Sequence, residues 1–260
     1  MPFLSLRLFP GPDWVLSCPP GRYADRRPGF TFMKFLLTND DGFDAPGLKA
    51  LLKAAEGLGE CVLVAPCQPM SGCSHRVTTH SPIQLERRGF SQYSLSGTPA
   101  DCVRFALHEL VPDAGCVLSG INQGGNLGAD VFYSGTVAAV REGVLEGVPG
   151  IALSQYSKKD FPIDWTQSIR WARPLLEKLL QTPWCSGTFW NINLPHLEPD
   201  QPTPPTIYCP LDLSPLPVTF RKEVNGFMYA GKYHQRRYDP KTDVEACFKG
   251  NIAVTRLRLI

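Results

Sequence analysis

From Met33 to Leu194 the chain alternates short apolar runs with stretches in which apolar residues recur every three to four positions. Phe35-Leu36-Leu37, Cys61-Val62-Leu63-Val64-Ala65, Cys116-Val117-Leu118-Ser119, Ile151-Ala152-Leu153-Ser154 and residues 188–193 read as strands buried on both faces. Between them, Leu48, Leu51, Leu52 and Ala55 follow Pro46 at helical spacing, and Val103, Ala106, Leu107 and Leu110 follow Thr98-Pro99. Val137, Val140 and Val144 follow Ser134-Gly135-Thr136, and Trp165, Ile169, Ala172, Leu176 and Leu179 align over residues 164–180. Parallel strands need long crossovers, and the crossing helices cover the faces of the sheet. The expected fold is therefore α/β: a Rossmann-like, mostly parallel sheet flanked by helices. Residues 77–85 and 93–95 are expected as an antiparallel excursion. After Leu194, eight prolines between 195 and 217 predict extended or edge-like chain. From Val218 the tail reads as strands, ending in Ile252-Ala253-Val254-Thr255.

Thr38-Asn39-Asp40-Asp41-Gly42 closes the first of these strands. Two adjacent carboxylates at the end of a buried strand lose solvation unless a positive charge compensates them. In mid-strand they would point to opposite faces; at an end that bends through Gly42 they can converge. A hard divalent cation is the simplest compensation, and open α/β sheets bind ligands at the carboxyl ends of their strands. Equally available from this motif alone is a helix cap at Asp40 with Asp41 in a solvated turn.

Composition excludes several partners. Net charge is +2 from 26 basic and 24 acidic residues in 260, with no basic run interleaved with aromatics, so neither a nucleic-acid groove nor a membrane surface is expected. The nine cysteines include no CxxC and no zinc-site spacing, which fits a reducing cytosol. Cys61, Cys102 and Cys116 fall in apolar segments; Cys67 and Cys73 fall in a polar loop as candidate exposed thiols. Residues 1–32 hold six prolines, and Arg7, Pro10, Pro12 and Asp13 interrupt any signal-peptide core. They are expected to be a disordered leader or a misassigned start ahead of Met33.

Four polar segments lie just beyond strand ends or at a helix start: Asn39 to Gly42, Ser71-Gly72-Cys73-Ser74-His75, Ser119 to Asn126, and Tyr133 to Thr136. In a parallel sheet these share one face. Two carboxylates, a hydroxyl and amide carbonyls form an all-oxygen set suited to Mg²⁺ or Mn²⁺. The helix N-terminus at Ser134 to Thr136 suits a phosphate. Taken singly, Ser134 or Thr136 is an N-cap, His75 a surface hydrogen-bonder, and the glycines a turn. Neither GxGxxG nor a Walker GK[ST] is present.

In order, TNDDG (38–42), VAP (64–66), SGCS (71–74), GTPADCV (97–103), SGINQGGNLG (119–128), YSGTVAA (133–139), EG (142–143), VP (148–149) and NINLP (191–195) resemble the survival protein SurE family. The likeness runs from Met33 to about residue 195, with a fainter match at Thr242-Asp243 and residues 250–257. It implies a metal-dependent 5′-nucleotidase, also described as an acid phosphatase, with one divalent ion per subunit, Mg²⁺ or Mn²⁺. The implied ligands are Asp40, Asp41, Ser71 and Asn122. Implied phosphate contacts are Ser134, Gly135 and Thr136, and Asn126, Ser74 and His75 complete the candidate substrate contacts. Asn39 is expected to orient the catalytic pair Asp40 and Asp41. The sequence departs from the family where Gly125 replaces a proline before Asn126, and where Cys67 replaces an aspartate after VAP.

The expectation is a phosphomonoesterase acting on nucleoside 5′-monophosphates, with 3′-nucleotides and short polyphosphates as further candidates. Whether water or Asp40 attacks phosphorus stays open, since both routes need a carboxylate there. The rival is a nucleotide-binding regulatory module without turnover, which would not need both aspartates. A different metal hydrolase on the same scaffold is a second rival. Residues 33–195 are expected as the catalytic core. Residues 196–260 are expected as a Pro-rich extension with C-terminal strands, packing on the core or on a partner subunit of a homodimer or homotetramer.

Overall fold

The computed structural model describes residues 33–158 and 161–259; the expectation for residues 1–32 lies outside them. Strands β1 (Lys34–Thr38), β2 (Glu60–Pro66), β5 (Cys116–Gln123), β6 (Gly150–Gln155) and β7 (Thr188–Leu194) form the parallel centre of the sheet. The full sheet has nine strands in the order β3-β4-β2-β1-β5-β6-β7-β11-β8. Here β3 is Leu85–Gly89, β4 Gln92–Leu95, β8 Thr206–Tyr208 and β11 Ile252–Arg258. β4 pairs parallel with β2, while β3 is antiparallel to β4 and β11 antiparallel to β7. The sequence thus leaves β1 toward β2 on one side and returns to β5 on the other.

Helices cover both faces. α1 (Pro46–Ala55) and α4 (Trp165–Leu180) bury Leu48, Leu51, Trp171 and Leu176 against Phe35 and Leu37. α2 (Pro99–Phe105) and α3 (Gly135–Leu145) bury Val103, Val137 and Val140 against Leu36. The alternation of β1 between the two cores is the period-2 consequence of a strand apolar on both sides.

Three expectations need correction. Residues 77–84 are not strand: the Thr78 amide and hydroxyl bind Asp101, Thr98 Oγ1 donates to the Arg76 carbonyl, and Pro82 lacks an N–H, so ladder pairing begins only at Leu85. The third core strand runs on to Gln123, with a register shift between Ser119 and Asn122 around Gly120, whose φ is +131°. The tail is not purely strand: α5 (Asp243–Phe248) precedes β11, and the hairpin β9 (Phe220–Glu223) with β10 (Gly226–Tyr229) stands apart from the main sheet.

Candidate active site

The reversal of strand order between β1 and β5 opens the crevice where ligands bind in such sheets. Asp40 and Asp41 leave β1 there, and Asn122 and Gln123 end β5 beside them. Gly42, at φ +98°, makes the bend, and Asn39 holds it by donating Nδ2 to the Gly42 carbonyl at 2.9 Å. Asp41 Oδ2 accepts the Gln123 amide at 2.9 Å. The Asp40 carbonyl accepts the Met70 amide at 2.7 Å, which ties down the loop bearing the exposed Ser71. Thr136, in the first turn of α3, donates its hydroxyl to Asp40 Oδ1. Four loops thus meet at one pair of carboxylates.

The electrostatics suit a cation. Asp40 is only 4 % exposed, and burial pushes its carboxyl up to about 6, with Thr136 pulling down and the neighbouring Asp41 pushing up. Burial likewise raises Asp41, against the Gln123 amide. Such upward shifts mark negative charges short of a positive partner, which a bound divalent ion would supply. Among the described residues no three His, Cys, Asp or Glu side chains cluster as a metal site, so the set depends on the two carboxylates plus neutral oxygens. Asn122 fits that role: its Nδ2 is spent on the Gly124 carbonyl at 2.8 Å, which turns the amide oxygen away from that contact. The donors are all hard oxygens, so the residues fit Mg²⁺ or Mn²⁺.

The N-terminus of α3 faces the same pair of aspartates. Ser134 caps it by accepting the Val137 amide at 3.0 Å, and the Ser134 amide itself goes to the Asp130 carbonyl. Of the first-turn donors this leaves Gly135 and Thr136 nearest the aspartates. A Cβ on Gly135 would sit 2.8 Å from Asp40 Cβ and 3.0 Å from Cys73 Sγ, so glycine is what lets the helix end approach.

The remaining expected contacts have partners inside the protein. Asn126 is buried; its Nδ2 donates to Ser154 Oγ at 2.7 Å and its carbonyl accepts from Asn191 and Asn193. Ser74, at φ +54°, donates its hydroxyl to the Phe132 carbonyl. His75 Nε2 pairs with buried Glu142 at 2.7 Å, and Arg104 meets the other Glu142 oxygen at 2.7 Å. Sequence reasoning passed over Glu142 as half of an EG pair; a carboxylate among the apolar positions of α3 was the signal. Of the loop thiols, Cys67 is exposed and Cys73 half-buried.

The sequence model of the survival protein SurE family matches residues 35–209. This chain belongs to the SurE family. A Nostoc protein named a putative 5′-nucleotidase is 48% identical over 227 residues, covering 87% of this chain and 100% of the relative. A 5′-nucleotidase SurE of Erythrobacter litoralis is 37% identical over 236 residues, covering 87% and 94%. The crystal structure of the SurE protein from Aquifex aeolicus superposes with a TM-score of 0.77 at 31% identity, over 87% of this chain and 94% of that one. The mostly parallel sheet with added C-terminal strands is thus the SurE fold.

Proposed function

We propose that this SurE protein is a metal-dependent phosphomonoesterase that hydrolyses nucleoside 5′-monophosphates to nucleoside and phosphate. The observation that carries the reading is the buried Asp40–Asp41 pair meeting the first turn of α3. The names of the relatives supply the substrate class. Asp40, Asp41, Ser71 and Asn122 would hold one Mg²⁺ or Mn²⁺ per subunit. When bound, that ion offsets charge on the phosphoryl oxygens and acts as a Lewis acid.

The chain's own residues do the rest. The Gly135 amide, at the positive end of the α3 dipole, takes a phosphate oxygen, while the Thr136 amide is spent on Asp40. The Thr136 hydroxyl fixes the rotamer of Asp40, and the Gln123 amide fixes that of Asp41. Asn39 holds the turn that presents both. Preorganised donors of this kind stabilise charge that grows in the transition state. Residues 33–195 act as the catalytic core. The exposed hairpin β9–β10, which carries Val224 at 99 % and Phe227 at 72 % exposure among charged residues, is the contact that builds a homodimer or homotetramer. Among the described residues no helix is long and apolar enough to cross a membrane; support for a cytoplasmic setting comes from the sequence, whose nine cysteines include no CxxC and no zinc-site spacing.

The test is phosphate release from a panel of nucleoside 5′-monophosphates with Mg²⁺, with Mn²⁺ and with EDTA. Metal-dependent release establishes the reaction. Nucleotide binding without release under any metal replaces it with a regulatory binding module. Light scattering of the same preparation reads the oligomer.

A further inference from the structure

Asp130 gathers contacts from the far end of the chain onto the loop that precedes α3. Its Oδ2 accepts the Leu127 amide at 3.1 Å, Arg236 Nη1 at 3.1 Å and the Tyr233 hydroxyl. Its backbone carbonyl accepts the amides of Tyr133 and Ser134, both at 3.0 Å, and Ser134 is the cap of α3. Arg236 Nη1 also donates to the Leu127 carbonyl at 3.2 Å. Next to these, the Gly128 amide donates to Asp243 Oδ2 at 2.8 Å, while Asp243 Oδ1 accepts the amides of Asp212 and Val244.

The grip needs Gly128. Its φ is +55°, and a Cβ there would lie 2.6 Å from Arg236 Nη2 and 3.0 Å from the Asp212 carbonyl. It also takes an arginine fully out of water, with a side-chain exposure of 0 %. Arg236 Nε and Nη2 have no hydrogen-bond partner among the described residues. Burying a guanidinium against one carboxylate is a poor way to gain stability, because well-packed apolar side chains do as well or better. What the ion pair adds over apolar packing is a fixed geometry for the turn at 127–130.

We propose that Tyr233, Arg236 and Asp243 clamp Asp130 and Gly128 so as to set the position of the α3 N-terminus over Asp40. They are then positioning residues for the reaction, and the reaction site is incomplete without the C-terminal segment. The inference rests on the reading of that helix end as the phosphate corner.

The test compares the full chain with Tyr233→Phe, Gly128→Ala, Arg236→Lys and Arg236→Met, using amide hydrogen exchange read by mass spectrometry and initial rates with Mn²⁺. The clamp requires exchange at residues 131–137 to quicken about 10-fold or more in Tyr233→Phe and Gly128→Ala, while that of β1 and β5 stays unchanged. It also requires kcat to fall about 10-fold, as a misplaced group costs, with the Mn²⁺ concentration for half-maximal rate within about twofold of wild type. Arg236→Lys, which keeps the charge, should retain more turnover than Arg236→Met. Unchanged exchange at 131–137 overturns the clamp, as does unchanged kcat where exchange has risen. If the arginine variants do not fold, Tyr233→Phe, which loses one hydroxyl, carries the decision. Should the wild type release no phosphate from any nucleotide, the functional reading falls, and the exchange result alone decides the clamp.

Discussion

Thr136 donates its hydroxyl to Asp40 Oδ1 across 96 residues of sequence, joining the first turn of α3 to the strand end that carries the carboxylates. The first turn of α3 and the carboxylate-bearing end of β1 are therefore tied together at Asp40.

Asp40→Asn is nearly isosteric and removes the charge. Turnover should fall at least ~10²-fold, as it does on loss of a major electrostatic group. Because burial already disfavours the charged form, the melting temperature in EDTA should not drop. Phosphate-release assays and calorimetry on the same preparation check both; a variant within a few-fold of wild type would remove Asp40 from the mechanism.

Gly135→Ala acts on the same contact from the helix side. The added methyl would meet Asp40 Oδ2 and Cys73 Sγ at 3.0 Å, and the Asp40 Cβ at 2.8 Å. The backbone there is helical, so the clash is local. We expect the Mn²⁺ affinity, measured by titration calorimetry, to weaken about 10-fold or more, as when the supports of a metal ligand are disturbed.

Asp101 sets a pH dependence of stability. Burial pushes its carboxyl up, but the amides of Thr78 and Thr98 and the Thr78 hydroxyl outweigh burial and hold it below the usual carboxylate range. A lowered folded pKa contributes stability above the unfolded value of about 3.9 that is lost as pH falls through the folded one. Asp101→Asn should cost about 1.5–3 kcal/mol at pH 7, typical of hydrogen bonds to a charged group. Urea unfolding at pH 7 and again near pH 3 should show the gap to wild type shrinking; a constant gap would sink this account.

Glu142→Gln tests the support behind the Ser71 loop. Hydrogen bonds from His75 and Arg104 hold the Glu142 carboxyl below its ordinary value despite burial. Losing the charge should cost about 2 kcal/mol. Freed of its partner, His75 should relax with its loop, so the metal concentration for half-maximal activity should rise while kcat at saturating metal recovers. A kcat that stays low at saturating metal would place Glu142 elsewhere in the mechanism.

The central strands were legible because both faces of a parallel sheet are buried, so their sequences read as unbroken apolar runs. The paired aspartates were legible because charge at the end of such a run has few explanations. Residues 77–84 misled because alternating apolar and polar positions look like strand, while the contacts that prevent it, Thr78 with Asp101, come from 23 residues away. Short α5 was hidden beneath the strand signal of the following segment. The contacts of Asp130 and Glu142 were invisible for the same reason as that of Asp101: each partner lies far along the chain, where periodicity carries no information.

The order in which these contacts occur along the chain sets a schedule. Asp40 and Asp41 leave the ribosome early, Asn122 and Thr136 only near mid-chain, and Asp243, whose carboxylate binds the Gly128 amide, close to residue 260. A nascent chain stalled before α3 carries the Gln123 amide that binds Asp41 but lacks the Thr136 hydroxyl that binds Asp40. The supports of the two carboxylates thus assemble in chain order, the contact of Asp243 with Gly128 following that of Thr136 with Asp40.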